Sequence, residues 1–465
     1  MNTLLMALRN LARNRRRSAT TLLAMVIGLA ATLVFGGYRA NIAYGMETGF
    51  VQGSGHLQIQ RRGYFVDGSD NPGAYGIDAP QRIIAALHAD PVLAPLLRVV
   101  SPSLQLGGIA GNFEAGISRS VLALGVDVPS YNRMLQWNDY GLISYAKPLA
   151  LPEDQPDAVV VGEGVARKLG LCAALGLQGC VAPRAAAGPA SGAAAMPADI
   201  AALAAGEQPK TPAAAGGSHI ELLVAGSRGA PNVAGLDVVK AKNMGIKALD
   251  DVFVAMHLAR AQKLIYGAAP PKVTAITVQL NHTAELPAAR ARIEQLLAAR
   301  FGGEDLAVVD FAQLNPTYGQ SLQFMNSMFG FIAVLIGAIV LFTIGNTMST
   351  AVVERTVEIG TLRAIGLDRG GLRRLFLCEG LLLGLGGAAL GLLVAWGVAT
   401  AINHSGLTWT PPGYAYAYKI LVLLWQDPRL IVGSVVGLVA VTLVSAWFPA
   451  HRAARLMIVD ALRHV

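Results

Sequence analysis

The chain has 465 residues, of which 53% are hydrophobic and only 14% are charged, and its formal net charge is +8. This composition fits badly with a wholly soluble protein, and the 52 glycines follow no Gly-X-Y period that would indicate collagen. The basic residues stand beside apolar runs instead of along one soluble face. That placement argues against nucleic-acid binding and favours a membrane protein.

Charge-free apolar runs are the candidates for membrane-spanning segments, because a bilayer core needs about 20 consecutive apolar residues per helix. Four such runs occur, at 18–38, 322–353, 380–403 and 430–450. They predict an α-helical membrane protein with four transmembrane helices, at 18–40, 321–353, 372–403 and 430–450. We interpret the first helix as an uncleaved anchor, since no clear signal-peptide cleavage site follows it.

Arginine clusters indicate which ends of these helices face the cytoplasm. They lie before the first run, between the second and third, and after the fourth. The positive-inside rule therefore places segments 1–17, 354–371 and 451–465 in the cytoplasm, and segments 41–320 and 404–429 outside it. Within 1–17 the leucines and arginines fall on different helical faces, which favours an amphipathic helix on the inner leaflet. Plain anchoring by positive charge, without a regular helix, is the alternative.

The long outward segment, 41–320, is predicted to be a large α+β extracytoplasmic domain inserted between helices 1 and 2. Apolar runs closed by turn residues predict strands at 121–126, 158–161, 252–256 and 273–280, and apolar periodicity predicts helices at 163–171 and 286–301. Residues 181–217 consist mainly of Ala, Gly and Pro. This composition cannot bury enough apolar surface to offset the entropy of ordering, so a disordered insertion is expected there.

Two of the three cysteines, Cys172 and Cys180, lie close together in the outward segment. If the outside is an oxidising compartment, they could form a disulfide at the base of the 181–217 insertion. Two buried or free thiols are the alternative.

The most specific stretch of the sequence is 354–366. It continues the second transmembrane helix into the cytoplasm as an amphipathic segment, which Gly366 can end and after which Asp368 can cap the next helix. The expected product is a helical protrusion with an exposed tip of mixed charge. Such a tip suits docking into a groove of another protein, and an ordinary solvated hairpin is the alternative.

Motifs for catalysis or nucleotide binding are absent from the sequence. No G-x-x-x-x-G-K-[ST], H-E-x-x-H or G-x-S-x-G occurs, and the histidines of the outward segment are widely scattered. We therefore expect no catalytic residue, no metal site and no cofactor on this chain.

The stretch 354–366 resembles the signature E-R-x-x-E-I-G-x-L-[RK]-A-[IL]-G of FtsX-like ABC permeases. The residues that match and would couple to an ATPase are Glu354, Arg355, Glu358, Gly360, Leu362, Arg363 and Gly366. The segment 448–463 is similar to the end of that family, although Ile458 stands where the family generally has Pro. The segment 160–171 and the turn at 125–127 resemble the extracytoplasmic domain of MacB-type and lipoprotein-releasing permeases.

This resemblance implies a half-transporter in a bacterial inner membrane. Its termini would be cytoplasmic, and its large domain periplasmic. Two permease chains, identical or paralogous, would combine with two copies of an ABC ATPase subunit that binds the ATP. The function to expect is extraction or export of an amphiphilic cargo such as a lipoprotein or lipid, with a periplasmic acceptor. The alternatives are mechanotransmission to a periplasmic cell-wall hydrolase, and efflux of antimicrobial peptides or drugs through an adaptor.

Overall fold

The computed structural model describes residues 3–68, 72–113, 115–142, 146–180, 218–410 and 417–456. The predicted insertion at 181–217 and the last nine residues, 457–465, lie outside the described residues. The chain divides into two compact units. The helical unit comprises Met1–Gly45, Thr317–Trp409 and Tyr418–Val465, and the α+β unit comprises Met46–Pro316 and Thr410–Ala417.

The secondary-structure elements of the described residues follow in chain order. The α-helices are α1 (Thr3–Arg13), α2 (Arg15–Ser54), α3 (Tyr64–Asp67), α4 (Pro80–Ala89), α5 (Val128–Leu135), α6 (Glu163–Lys168), α7 (Cys172–Leu175), α8 (Lys247–Asp250), α9 (Leu258–Tyr266), α10 (Leu286–Arg300), α11 (Phe311–Leu314), α12 (Pro316–Glu354), α13 (Thr356–Ala364), α14 (Arg369–Ser405) and α15 (Pro428–Arg455). The strands are β1 (Leu57–Arg61), β2 (Leu97–Asn112), β3 (Ile117–Val126), β4 (Ala158–Gly162), β5 (His219–Ala225), β6 (Pro231–Lys242), β7 (Phe253–His257), β8 (Ala275–Leu280), β9 (Leu306–Asp310), β10 (Thr408–Trp409) and β11 (Tyr418–Lys419). Two 3-10 helices cover Pro72–Tyr75 and Thr283–Glu285.

Four helices of the described chain, α2, α12, α14 and α15, are long and apolar enough to cross a membrane. The predicted spans at 18–40, 321–353 and 430–450 lie inside α2, α12 and α15, and the span at 372–403 lies inside α14. The first helix continues beyond the predicted boundary at residue 40, as far as Ser54. No proline interrupts residues 41–54, and the helix ends only before Gly55, whose φ is +70°.

Glycines on α14 allow close helix packing in the helical unit. A Cβ atom on Gly384 would lie 2.5 Å from Thr442 Oγ1 on α15, and one on Gly387 would lie 2.9 Å from the Cβ of Met25 on α2. Either contact is too short for a larger side chain. Small residues at helix contacts are the usual means of packing in membranes, where burial alone does not drive association.

The α+β unit is built on one mixed nine-stranded sheet, part of which closes on itself. The pairings run from β2 to β3, β7, β4, β6 and β5 and return to β2, which makes a ring of six strands. The first half of β2 pairs with β8 instead of β5, and β1 lies between β8 and β9.

Each part of this sheet has its own apolar core. The strands of the ring bury residues such as Leu222 together with Val165 of α6 and Leu264 of α9. The sheet of β8, β1 and β9 buries Ile59 together with Ile293 of α10.

The predicted strands at 121–126, 158–161, 252–256 and 273–280 correspond to β3, β4, β7 and β8, and the predicted helix at 286–301 to α10. The helix predicted for 163–171 is present but shorter, since α6 ends at Lys168, before Gly170, whose φ of +73° is not helical.

Candidate functional site

The stretch 354–366 forms a short helix between two long ones. α12 ends at Glu354, Arg355 leaves the helical conformation with φ −102° and ψ 17°, and α13 follows. At its end the Gly366 N–H donates to the Arg363 carbonyl (3.1 Å) and the Leu367 N–H donates to the Leu362 carbonyl (3.0 Å). This is the Schellman pattern, for which Gly366 supplies the required positive φ of +109°.

The next helix begins at once. The Asp368 carboxylate accepts hydrogen bonds from the N–H groups of Gly370 (3.2 Å) and Gly371 (2.9 Å), and so caps α14. Both turn signals read from the sequence, the ending Gly366 and the capping Asp368, are confirmed.

Arg355 is buried and holds three elements together. Its Nη1 lies 3.4 Å from Glu379 Oε1 on α14, and its Nη2 donates to the backbone carbonyl of Asn10 on α1 (3.2 Å). The Asn10 side-chain amide donates to the same Glu379 oxygen (2.7 Å). The side chains of Arg355 and Glu379 are only 10% and 4% exposed, so this cluster is enclosed and cannot reach a partner protein.

The two acids of α12 and α13 are exposed, and each pairs with an arginine near the N-terminus. Arg13 Nη2 contacts both carboxylate oxygens of Glu358, at 2.5 and 2.6 Å, and Arg17 pairs with Glu354. About half of each glutamate side chain remains open, 51% for Glu358 and 52% for Glu354. Their carboxylates can therefore be reached from solvent.

Apolar side chains on this segment are divided between two sides. Val352, Ile359 and Gly360 are buried, together with residues of α1, α14 and α15. Val353 and Val357 are exposed, and Ile365 at the end of α13 is 80% exposed. The exposed glutamates thus stand beside an exposed apolar surface, which is the composition expected of a docking surface.

The remaining predicted site residues are Leu362, Arg363 and Gly366. Leu362 and Arg363 are half-buried, and Arg363 donates a hydrogen bond to the Leu456 carbonyl that follows α15. Gly366 is exposed in the turn. The structure therefore divides the seven predicted residues. Glu354, Glu358 and Gly366 reach the surface, Leu362 and Arg363 lie at its margin, and Arg355 and Gly360 are internal.

Sequence reasoning missed the N-terminal side of this site, formed by Asn10, Arg13 and Arg17. A signal for it existed, because Arg13 and Arg17 are four residues apart, as are Glu354 and Glu358. Two helical segments that carry opposite charges at the same spacing can pair in register. We call Arg13, Arg17, Glu354, Glu358 and the exposed residues of α13 the docking segment.

Cys172 and Cys180 are joined by a disulfide, with their Cα atoms 5.9 Å apart. The bond closes the short stretch that begins with α7, directly before the segment 181–217. Cys378 on α14 is a free, half-buried thiol.

His56 of the α+β unit makes structural contacts. His56 is fully buried, its Nδ1 accepts a hydrogen bond from the Leu280 N–H (3.0 Å) and its Nε2 lies 3.1 Å from Thr283 Oγ1. Burial lowers the pKa of His56 to about 4, although the negative charge of Asp139 opposes the shift. Within the described ranges, no three His, Cys, Asp or Glu side chains lie together as metal ligands would.

The α+β unit also has an exposed apolar row on the outer face of its ring. Ile109 of β2 stands directly opposite Leu223 of β5, which stands opposite Val233 of β6, and all three are exposed. A cleft of about 440 Å³ lies beside the row. It is lined by Pro72, Gly107, Gly108, Ile109, Leu223, Val224, Ala225, Gly229, Pro231 and Ile265. None of these residues is charged, and apolar atoms supply somewhat more of the exposed lining than polar ones.

Comparison with known proteins shows which families and proteins this chain resembles. Residues 330–458 match the family described as FtsX-like permease C-terminal, a range that contains most of α12 and all of α13, α14 and α15. An uncharacterised ABC transporter permease of Methanocaldococcus jannaschii is 27% identical over 243 residues, which cover 49% of this chain and 57% of that protein. The ABC transporter permease YtrF of Bacillus subtilis is 35% identical over 141 residues, 29% of this chain and 30% of that protein.

A third relative is the macrolide export ATP-binding/permease protein MacB of Escherichia coli. It is 31% identical over 137 residues, which cover 29% of this chain and 21% of MacB. The chain thus covers less than two thirds of each of these three relatives. These findings support the family of FtsX- and MacB-type ABC transporter permeases, to which the C-terminal part of this chain is similar.

Proposed function

We propose that this permease couples a partner ABC ATPase to movement of an amphiphilic cargo, such as a lipid or a lipoprotein, by its α+β unit. In this proposal the four long helices cross a bacterial inner membrane, both termini are cytoplasmic and the α+β unit is periplasmic. The placement of the arginines supports this orientation, since they cluster at 9–17 before the first span, at 355–374 between the second and third spans, and at 452–463 after the fourth.

The docking segment is the proposed contact with the ATPase, which would bind the ATP that this chain has no motif to bind. Two exposed carboxylates beside Val357 and Ile365 offer both charge and apolar contact to a groove. Two permease chains would then combine with two ATPase subunits. Chain connectivity would couple the docking segment to the α+β unit. The α+β unit follows α2 and precedes α12 in the chain, and these two helices carry or adjoin the docking segment.

The apolar row and cleft of the α+β unit carry the cargo proposal. A partner that is only activated by contact does not require an uncharged cleft of about 440 Å³, whereas an acyl chain or an apolar peptide segment does. The row formed by Ile109, Leu223 and Val233 extends that surface across three strands. An amphiphile could place its apolar part there and leave its polar part in water.

The test uses the full chain with its ATPase in proteoliposomes that contain fluorescent lipid or lipopeptide. The double variant I109N/L223N should lower ATP-dependent release by about tenfold, a loss of about 1.4 kcal/mol of apolar contact. A matched control, Ser120→Asn, changes an exposed residue that pairs with Ile109 on β3 and should leave release unchanged. Equal release by all three proteins would reject the row and cleft as the cargo surface. No release by the wild type, together with ATP-dependent activation of a periplasmic hydrolase, would reject cargo movement in favour of mechanotransmission.

A further inference from the structure

The N-terminal helix α1 has one side packed against the helical unit and another side left open. Ala7 is buried, and Met6 and Leu11 are partly buried in the cores of that unit. Leu4, Leu5 and Leu8 are 57%, 51% and 54% exposed. Because residues advance by about 100° around a helix, Leu4, Leu8 and Leu5 share one arc of about 100°, and Arg9 follows at its edge.

Three half-exposed leucines on such a short helix are unfavourable in water, and the acyl region of a bilayer would accept them. The position of α1 in the chain favours the bilayer as the occupant of this surface. Only Asn14 separates α1 from α2, which is one of the candidate membrane spans. On α2 the side chains of Leu23 and Ile27 are each 59% exposed, so an open apolar surface continues into the span itself.

The charge of this region indicates which class of lipid would occupy the surface. Residues 1–46 contain no acidic residue, and Arg13 and Arg17 are already paired with Glu358 and Glu354. In the part of the chain that the structure describes, no carboxylate pairs with Arg9, Arg15 or Arg16, and Arg15 donates only to the backbone carbonyl of Ala12 (3.2 Å). Arginine forms strong, geometrically defined hydrogen bonds to phosphate oxygens.

We propose that α1 and the first turn of α2 form a binding surface for anionic phospholipids. Leu4, Leu5 and Leu8 enter the acyl region, and Arg9, Arg15 and Arg16 bind headgroup phosphates. The surface acts on the docking segment through Asn10, which contacts both Arg355 and Glu379 from the packed side of α1. Lipid binding therefore secures the element that holds the docking segment in place, and it requires no ATPase.

The apolar half of the proposal is tested with an environment-sensitive fluorophore on the full chain, without ATPase, in the background Cys378→Ala. Ala12→Cys places the probe on the open side of α1, and Thr361→Cys places it on the exposed surface of α13 as a matched control. In phosphatidylcholine–phosphatidylglycerol nanodiscs, the α1 probe should be blue-shifted and quenched by nitroxide lipids, and the α13 probe should not. Identical water-like spectra at both positions, or a blue shift of the α1 probe only after ATPase is added, would overturn lipid as the occupant.

The headgroup half is tested by native mass spectrometry of the lipids that the purified chain retains from the same mixture. The wild type should retain phosphatidylglycerol over phosphatidylcholine. R9Q/R15Q/R16Q should lose at least about threefold of that preference, because each arginine near an anionic surface contributes substantially to binding. R369Q/R373Q/R374Q removes the same charge from α14 and should keep most of the preference. Equal losses in the two triple variants would overturn the site and indicate a general effect of net charge.

Discussion

The buried pair of Arg355 and Glu379 shows what a motif residue does when the structure encloses it. The sequence pattern marks Arg355 as part of the ATPase contact, but the guanidinium faces Glu379 and Asn10 inside the helical unit. A sequence motif alone does not distinguish a residue that contacts the partner from a buried residue that holds the contacting residues in place. Only the packing of α1 and α14 against this residue distinguishes the two.

We predict that Arg355→Met lowers the free energy of unfolding by about 3–5 kcal/mol, because it leaves the buried carboxylate of Glu379 without its counter-charge. The double variant R355M/E379M should recover most of that loss, since it removes both charges. Unfolding of the purified chain by SDS in mixed micelles measures both. Glu358→Gln is the control, because its exposed pair is worth only about 0–1 kcal/mol. If Arg355→Met lowers the free energy of unfolding no more than this control does, the buried Arg355–Glu379 pair does not have the proposed role.

A second prediction concerns His56 and the pH dependence of folding stability. The pKa of His56 in the folded chain is about 4, below its ordinary value of 6.5, so the unfolded chain binds more protons between these values. The stability that neutral His56 provides is therefore complete above about pH 6.5 and is lost as the pH falls toward 4, by about 3 kcal/mol in all. The melting temperature in detergent at pH 7 and pH 5 measures about 2 kcal/mol of this loss. In His56→Gln the melting temperature should fall less between pH 7 and pH 5 than in the wild type. In the exposed control His88→Gln it should fall as much as in the wild type.

At the scale of elements, prediction from sequence succeeded where a run of residues had one character throughout. The four long apolar helices and the short apolar strands β3, β4, β7 and β8 were predictable in this way. β5 and β6 were not identified, although buried residues alternate in them with exposed ones such as His219 and Asp237, a pattern that itself indicates a half-buried strand. β1 was also missed, since it is only five residues long and directly follows a long helix. The pairing of β5 with β2 and of β6 with β4 depends on contacts between distant parts of the chain, which no local pattern contains.

The element α13 allows a charge-exchange test of docking. E354R/E358R should abolish co-purification of the ATPase, but it also breaks the pairs with Arg13 and Arg17. The fourfold variant R13E/R17E/E354R/E358R restores opposite charges at both pairs and serves as the matched control for folding. If the ATPase binds the carboxylates themselves, docking stays lost in the fourfold variant. Recovered docking would show instead that the glutamates act only by holding α1 and α2.

At the scale of the whole molecule, the orientation of the units in the membrane is the central prediction. Single cysteines at Glu153 and His404, in the Cys378→Ala background, should react with a membrane-impermeant maleimide added to intact cells. A cysteine at Arg369 should react only after the membrane is opened, because positive charge keeps that segment inside. All three positions are exposed in the structure, so accessibility within the fold is matched. Protection at Glu153 would reject the periplasmic placement.

The pairing of β1 has a consequence for how the α+β unit forms. β1 is its first strand, yet it lies between β8 and β9, the last two strands of the sheet. Local hairpins such as β2–β3 and β5–β6 can form early, because the loops that they close are short. β1 must wait until nearly the whole unit has been synthesised. During that delay both of its edges lack their partners, so assembly should be slow and the nascent unit prone to aggregation.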